Sequence, residues 1–127
     1  MKRRRYIPAL LMTLGTLVLV AALRAQAADP EEGKKLYMQY CSSCHGQSGK
    51  GDGPASAALN PKPRDHTDNA YMSQLSEDHV FKVIKEGGAS VGKSPLMPPW
   101  GPSLKDDQIK DVMAYLQVLC QCKFSGT

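Results

Sequence analysis

The feature that most constrains this chain is the stretch Cys-Ser-Ser-Cys-His at positions 41–45. Two cysteines separated by two residues and followed directly by a histidine form the attachment signature of a c-type haem. Two thiols one helical turn apart can each add to one vinyl group, and the adjacent imidazole is then placed to bind the iron. We therefore predict covalent haem attachment through Cys41 and Cys44, with His45 as the proximal ligand.

Two other kinds of site contain a Cys-x-x-Cys pair. A thiol redox centre is expected in a strand–helix–strand setting, and no segment of this chain has a convincing strand pattern. A zinc site needs a second set of ligands at comparable spacing, but Cys120 and Cys122 are separated by one residue only. The presence of His45 directly after the pair therefore favours haem over both alternatives.

The first 27 residues have the pattern of a secretory signal peptide. Basic residues at positions 2–5 precede an apolar run over residues 7–23, and the stretch Ala-Gln-Ala at 25–27 has the small-x-small pattern of a cleavage site. We predict cleavage after Ala27, which leaves one domain over residues 28–127. The alternative is an uncleaved membrane anchor, although the apolar run is short for a membrane span.

The net charge of +4 at pH 7 belongs to this leader. Residues 1–27 hold five of the 16 basic residues and none of the 12 acidic ones, so the remainder has 11 basic and 12 acidic residues and a net charge of −1. A nucleic-acid-binding domain needs a basic face in its folded part. We therefore expect no nucleic-acid partner.

The rest of the chain contains three helical patterns and no strand pattern. The first helix has Asp29 as its N-cap and runs into the cysteine motif. The second follows the cap Ser76 and ends at Gly87, while glycines and prolines over residues 46–68 predict a loop. The last helix carries the clearest apolar stripe, formed by Ile109, Val112, Met113, Leu116, Leu119 and Cys120.

A second stretch that indicates iron chemistry lies at residues 92–101, where Met97 has prolines on both sides. A thioether is a soft ligand that suits haem iron and raises its reduction potential, and the prolines stiffen the backbone that presents it. Met38 and Met113 lie at core-like helix positions, and Met72 has no rigid flanks. Met97 is therefore the predicted distal ligand.

Together these segments resemble the class I cytochromes c, the small bacterial monohaem proteins. The likeness covers nearly all of residues 28–127 and rests on Gly33-x-x-Leu36-Tyr37-x-x-x-Cys41-x-x-Cys44-His45-Gly46 and on Met97-Pro98-Pro99-Trp100. It implies an all-α cytochrome c fold in which three main helices wrap one covalently bound haem. It also implies that the first and last helices cross closely at Gly33, with Tyr115 resting beside the first helix.

The resemblance implies further roles around the haem. Trp100 is expected to pack on the haem or to bond a propionate, and Arg64 either pairs with a propionate or is an ordinary solvated arginine. A proline carbonyl, from Pro54 or Pro61, is expected to accept a hydrogen bond from His45. His66 and His79 are predicted to be surface residues. Cys120 and Cys122 can pair within the chain, pair between molecules or stay free. The lysines that are candidates to ring the haem edge are Lys62, Lys82, Lys85 and Lys93.

The predicted function is one-electron transfer, because a haem iron bound by His45 and Met97 has no open coordination site. We expect an exported, periplasmic monomer that binds its redox partner proteins transiently. It should contact the membrane only if the leader is retained. It is expected to be an electron carrier or a subunit of a redox complex, not an enzyme. One alternative is a haem enzyme or a gas- or peroxide-binding cytochrome with an open or labile distal site. The other is a thiol oxidoreductase that uses Cys41 and Cys44.

Overall fold

The computed structural model describes residues 27–126, so the predicted leader lies outside the described residues except for Ala27. Apart from an isolated bridge between Ser76 and Ser125, the described part contains no β-structure, and the predicted all-α fold is confirmed. None of its helices has the length and apolar character needed to cross a membrane. The α-helices of residues 27–126 are α1 (Pro30–Tyr40), α2 (Ser42–His45), α3 (Asn69–Met72), α4 (Glu77–Glu86) and α5 (Asp106–Cys120), with 3₁₀ turns at Pro54–Ala58 and Gly88–Val91.

Helices α1 and α4 begin where the sequence predicts. The Asp29 carboxylate accepts a hydrogen bond from a backbone N–H in the first turn of α1 at 2.9 Å, and the Ser76 hydroxyl does the same for α4 at 3.1 Å. At the start of α5, the side-chain oxygen of Gln108 accepts a hydrogen bond from the Lys105 N–H at 3.0 Å. This contact satisfies one backbone donor at a position where lysine itself offers no acceptor.

The close crossing of α1 and α5 is the contact that positions the cysteine motif. Gly33 is buried against α5, where a Cβ atom would overlap the backbone carbonyl of Asp111. The Asp29 N–H also donates to the Asp111 carboxylate at 2.8 Å. One turn further along α1, the ring of Tyr37 packs edge to face against Tyr115, with 5.3 Å between the ring centroids. The predicted crossing and the predicted place of Tyr115 are both present.

The core forms where α1, α4 and α5 meet. The apolar stripe predicted for α5 is buried, except that Leu119 is only partly covered. Helix α1 contributes two buried side chains and α4 contributes two more, and the chain end adds Phe124. The buried residues of these elements are Leu36, Tyr37, Val80, Ile84, Ile109, Val112, Met113, Tyr115, Leu116, Cys120 and Phe124.

Helix α5 ends in a turn that a disulfide encloses. Cys120 and Cys122 are paired within the chain, which settles the three alternatives left open above. Gln121, between them, has a left-handed conformation with φ of 51°. The Cys122 N–H donates to the Gln117 carbonyl and the Gln121 N–H donates to the Val118 carbonyl, both at 3.2 Å. This is a Schellman motif, in which the left-handed position is usually glycine.

The residues after this turn return to the body of the protein. Phe124 is buried in the core, and the Ser125 N–H donates to the Leu75 carbonyl at 2.9 Å. The Asn69 amide donates to the Cys120 carbonyl at 3.0 Å. The end of α5 and the residues after it are thereby tied to α3 and to the segment between α3 and α4.

We predict that this disulfide offsets the cost of a non-glycine residue in the turn. Replacing Cys120 and Cys122 together by alanine should lower the free energy of unfolding by about 1.5 kcal/mol, the chain-entropy value for so short a loop. Adding Gln121→Gly in that background should restore about 1 kcal/mol, because glycine adopts the left-handed conformation without a Cβ clash. Urea unfolding of the three proteins measures both values. An absence of any gain from glycine would contradict the prediction.

Candidate haem site

The cysteine motif forms a turn that follows α1 directly. The Cys41 N–H donates to the Tyr37 carbonyl at 2.8 Å, and the His45 N–H donates to the Cys41 carbonyl at 2.9 Å. The two thiols are therefore one helical turn apart, as their spacing predicts, and they are not joined to each other. Cys41, Cys44 and His45 all line the same cavity.

His45 is held by a backbone carbonyl, but not by the one that the resemblance implied. Its ring atom Nδ1 lies 3.0 Å from the carbonyl oxygen of Arg64, so the expectation of Pro54 or Pro61 was wrong. The loop folds so that the residue after Pro63 reaches the ring, which proline spacing alone does not reveal. Nδ1 donates to this carbonyl, which leaves the lone pair of Nε2 free to bind a metal. Burial lowers the pKa of His45, and its hydrogen bond to Arg64 opposes that shift.

His66 is buried beside the proximal histidine, so its prediction as a surface residue was also wrong. Its ring stacks on the ring of His45 with 4.1 Å between the centroids and 17° between the planes. Its Nδ1 atom lies 3.2 Å from the Tyr37 hydroxyl. Burial lowers the pKa of His66 well below its usual value, and the nearby His45 and Arg64 lower it further. The sequence held one signal for this contact: Tyr37 lies on the apolar face of α1, and a buried tyrosine hydroxyl needs a hydrogen-bond partner.

Met97 lies on a loop that is fastened to the end of α4. The Gly88 N–H donates to the Met97 carbonyl at 3.0 Å, and the Trp100 N–H donates to the Ile84 carbonyl at 3.0 Å. A Cβ atom at Gly88 would overlap the carbonyl of Ser94, so the loop approaches at a distance that only glycine permits. These bonds hold the methionine backbone against α4 and place its side chain in the lining of the cavity.

Met72 and Trp100 line the same cavity. Met72, on α3, is more deeply buried than its lack of rigid flanks suggested, at 2% exposure. It is therefore the other thioether that can compete with Met97 for the iron. The indole of Trp100 packs against the ring of Tyr40, with 5.4 Å between the centroids.

Both the backbone carbonyl and the side chain of Arg64 make contacts at this site. Its carbonyl accepts the hydrogen bond from His45, while its guanidinium lies over the ring of Tyr71 at 3.8 Å from the centroid. A cation on an aromatic face is held by electrostatic attraction to the ring. Both residues line the cavity, so the positive charge of Arg64 is fixed at its wall.

The lysines proposed to ring the haem edge divide into two pairs. Lys62 and Lys93 line the cavity. Lys85 pairs with Asp106 at 2.7 Å, and Lys82 lies 3.9 Å from Glu86. His79, which was predicted to lie on the surface of α4, is half-buried and lines the cavity.

The cavity fits a haem. Its volume is about 620 Å³, within the range of roughly 300–1,000 Å³ found for cofactor sites. Apolar and aromatic side chains form most of its wall, and no described carboxylate lines it, whereas Lys62, Arg64 and Lys93 do. Cations without carboxylates suit the propionate groups of a haem. The groups in the wall that can bind a metal are the thiols of the motif, the thioethers of Met97 and Met72, and the imidazoles of His45, His66 and His79.

The Cys41 thiol is poorly suited to thiol redox chemistry. Burial, reinforced by the neighbouring Cys44, raises its pKa to about 12. Reactive cysteines have a lowered pKa, because the thiolate is the nucleophile. This environment disfavours a thiol oxidoreductase.

Sequence comparison gives an independent test of the haem assignment. Residues 28–116 match the protein family described as cytochrome c oxidase, cbb3-type, subunit III. The cbb3-type cytochrome c oxidase subunit FixP of Bradyrhizobium diazoefficiens is 29% identical over 91 residues, which are 72% of this chain and 28% of that protein. Quinohemoprotein alcohol dehydrogenase ADH IIB of Pseudomonas putida is 31% identical over 93 residues, 70% of this chain and 11% of that protein. The chain thus spans less than a third of either relative.

Two solved structures share the fold. The reducing HAO-like protein complex Kustc0457/Kustc0458 of Kuenenia stuttgartiensis aligns with a TM-score of 0.59 and 32% identity, over 74% of this chain and 44% of that one. The KustC0563 c-type cytochrome aligns with a TM-score of 0.52 and 27% identity, over 72% of this chain and 96% of that one. Because the family match covers more than half of the sequence, the chain belongs to this cytochrome family and is a monohaem c-type cytochrome with covalently bound haem c.

Proposed function

We propose that this cytochrome is a periplasmic electron carrier in which His45 and Met97 are the two axial ligands of the iron. Cys41 and Cys44 hold the haem through thioether bonds. The observation that carries the proposal is that a fixed imidazole and a fixed thioether line one mostly apolar cavity. When bound, the haem supplies a one-electron couple, and the protein residues hold and shield it.

On the proximal side, the chain presets the ligand. The Arg64 carbonyl fixes the His45 tautomer by accepting from Nδ1 at 3.0 Å, and this bond makes the other ring nitrogen more basic. The two cysteines prevent loss of the cofactor from a small protein shell. The guanidinium of Arg64, fixed on Tyr71, is proposed to pair with a propionate.

On the distal side, the chain closes the site. The backbone bonds that fasten residues 97–100 to α4 reduce the entropy that Met97 loses when its weak thioether ligand binds. Trp100, packed on Tyr40, is proposed to cover the haem. An apolar wall keeps water out and disfavours the more highly charged ferric state, which raises the reduction potential.

Electron exchange is proposed to occur where the cavity opens to the surface. Leu96, next to the proposed distal ligand, is 55% exposed, and Lys62 and Lys93 lie at the same cavity. An apolar residue with neighbouring cations suits brief docking of a redox protein through a small interface. The matched relative FixP is a subunit of a cbb3-type oxidase, so a place in a redox complex is consistent with this surface. We propose an exported monomer, cleaved after Ala27.

Two measurements on protein expressed with its leader test this proposal. The intact mass under denaturing conditions should equal that of residues 28–127 plus one haem, and a variant with Cys41 and Cys44 both replaced by alanine should retain no covalent haem. The ferrous protein should not bind carbon monoxide, because both axial positions are filled. Rapid binding of carbon monoxide by the native protein would contradict the carrier proposal and support an open-site haem enzyme or gas-binding protein.

A further inference from the structure

One short loop segment, residues 64–66, makes two different contacts with the side chain of His45. The Arg64 carbonyl accepts a hydrogen bond from the edge of the ring at Nδ1. The ring of His66 covers one of its faces, nearly parallel and 4.1 Å away between centroids. The first contact holds one atom of the imidazole. The second opposes rotation of its plane, because a turned ring would collide with its neighbour.

His66 can oppose such rotation because it is itself immobilised. It is 9% exposed, and its backbone N–H donates to the Gly49 carbonyl at 2.6 Å. At the other end of the side chain, Nδ1 lies 3.2 Å from the Tyr37 hydroxyl. Because a tyrosine hydroxyl can either donate or accept, this contact holds the edge of the His66 ring in either tautomer.

Tyr37 in turn is locked into the helix crossing. It has no exposed surface, and its ring lies edge to face with both His66 and Tyr115, at centroid distances of 5.8 Å and 5.3 Å. An aromatic chain therefore runs from α5 through Tyr37 and His66 to His45. Packing alone does not require a histidine at position 66. An aliphatic side chain of similar volume would fill the same space, but it would have no ring plane.

We propose that His66 is a positioning residue that sets the orientation of the His45 imidazole plane about its bond to the iron, and that Tyr37 fixes His66 in this role. The inference rests on the proposed ligation by His45. In a low-spin ferric haem with one imidazole and one thioether ligand, the plane of the imidazole and the orientation of the thioether together determine how the unpaired spin is distributed over the porphyrin. The residue that sets this plane therefore has a spectroscopic signature that a space-filling residue lacks.

The test compares ferric proton NMR and electron paramagnetic resonance spectra of the full chain with those of three variants. His66→Leu keeps the volume but removes the ring plane, and it should change the order and spread of the shifted haem-methyl resonances and broaden the low-spin signal. His66→Phe keeps a planar ring but loses the contact with the Tyr37 hydroxyl, so it should keep the native order of the haem-methyl resonances while broadening the low-spin signal. Tyr37→Phe keeps the packing but removes the hydroxyl, and it should broaden the low-spin signal.

Unchanged methyl shifts in His66→Leu, or a change in methyl shifts in His66→Phe as large as that in His66→Leu, would overturn the proposal. If His66→Leu yields no haem protein, the Tyr37→Phe spectrum decides, because an unbroadened signal there contradicts fixation of His66. The weak far-red absorption band of a sulfur–iron(III) bond separates this inference from the proposed function. Failure of the proposed ligation by His45 and Met97 would appear in the native protein as a high-spin spectrum without that band. Failure of the His66 role would leave the band present in every protein.

Discussion

Met97→Leu is expected to abolish the far-red absorption band of the ferric protein and to lower its reduction potential by on the order of 0.1 V. Leucine has nearly the same volume as methionine, so the change removes the sulfur and leaves the packing largely intact. The loop should stay in place, because the bond from the Gly88 N–H goes to the backbone carbonyl of residue 97. Absorption spectroscopy and potentiometric titration measure the two effects.

Met72→Leu is the matched control, since it removes the other thioether that lines the cavity. The band and the potential should stay close to native values in this variant. Its free energy of unfolding should fall by less than about 1.5 kcal/mol, as for other volume-conserving core changes. If the band survives in Met97→Leu and disappears in Met72→Leu, Met72 is the distal ligand. If the native ferric protein is high-spin and has no such band, the distal side is open and the carrier proposal fails.

Gly33→Ala is expected to destabilise the protein by about 3 kcal/mol, the upper end of the usual cost of overpacking. Alanine has the better helix propensity by about 1 kcal/mol, so propensity alone predicts stabilisation. The added methyl group, however, would overlap the backbone carbonyl of Asp111, which cannot move aside as a flexible side chain can. The clash is therefore expected to outweigh the propensity. Urea unfolding of the haem-loaded protein measures the difference.

Lys34→Ala is the control for this prediction, because Lys34 lies next in α1 and is exposed. Its free energy of unfolding should stay within about 0.5 kcal/mol of the native value. A Gly33→Ala protein as stable as this control would mean that α1 and α5 can separate without cost. The close crossing would then not be what positions the cysteine motif.

The three long helices could be predicted because their signals are local. Asp29 and Ser76 cap helices that begin directly after them, and the α5 stripe follows one period along one element. The role of Gly33 at the crossing could also be predicted, since glycine is a poor helix former and nothing in the local sequence requires one there. The motif at residues 41–45 has a spacing that its chemistry alone explains.

The contacts of the proximal ligand could not be predicted from local signals. The Arg64 carbonyl and the His66 ring reach His45 only because the loop over residues 46–68 folds back on itself. Loops have no period, and a backbone carbonyl leaves no trace in the sequence. The pairing of Cys120 with Cys122 was equally undecided, because it depends on the left-handed conformation of Gln121.

The fold of this loop also restricts how related chains can change in length. Surface loops usually absorb insertions and deletions during divergence, and the 3₁₀ turn Pro54–Ala58, whose side chains are mostly exposed, is free to do so. One residue added within residues 64–66 would shift the chain by up to about 3.5 Å and would displace the Arg64 carbonyl and the His66 ring together. Homologous chains should therefore vary in length before Pro61 and keep a constant spacing from Pro63 to Thr67, even where the side chains differ.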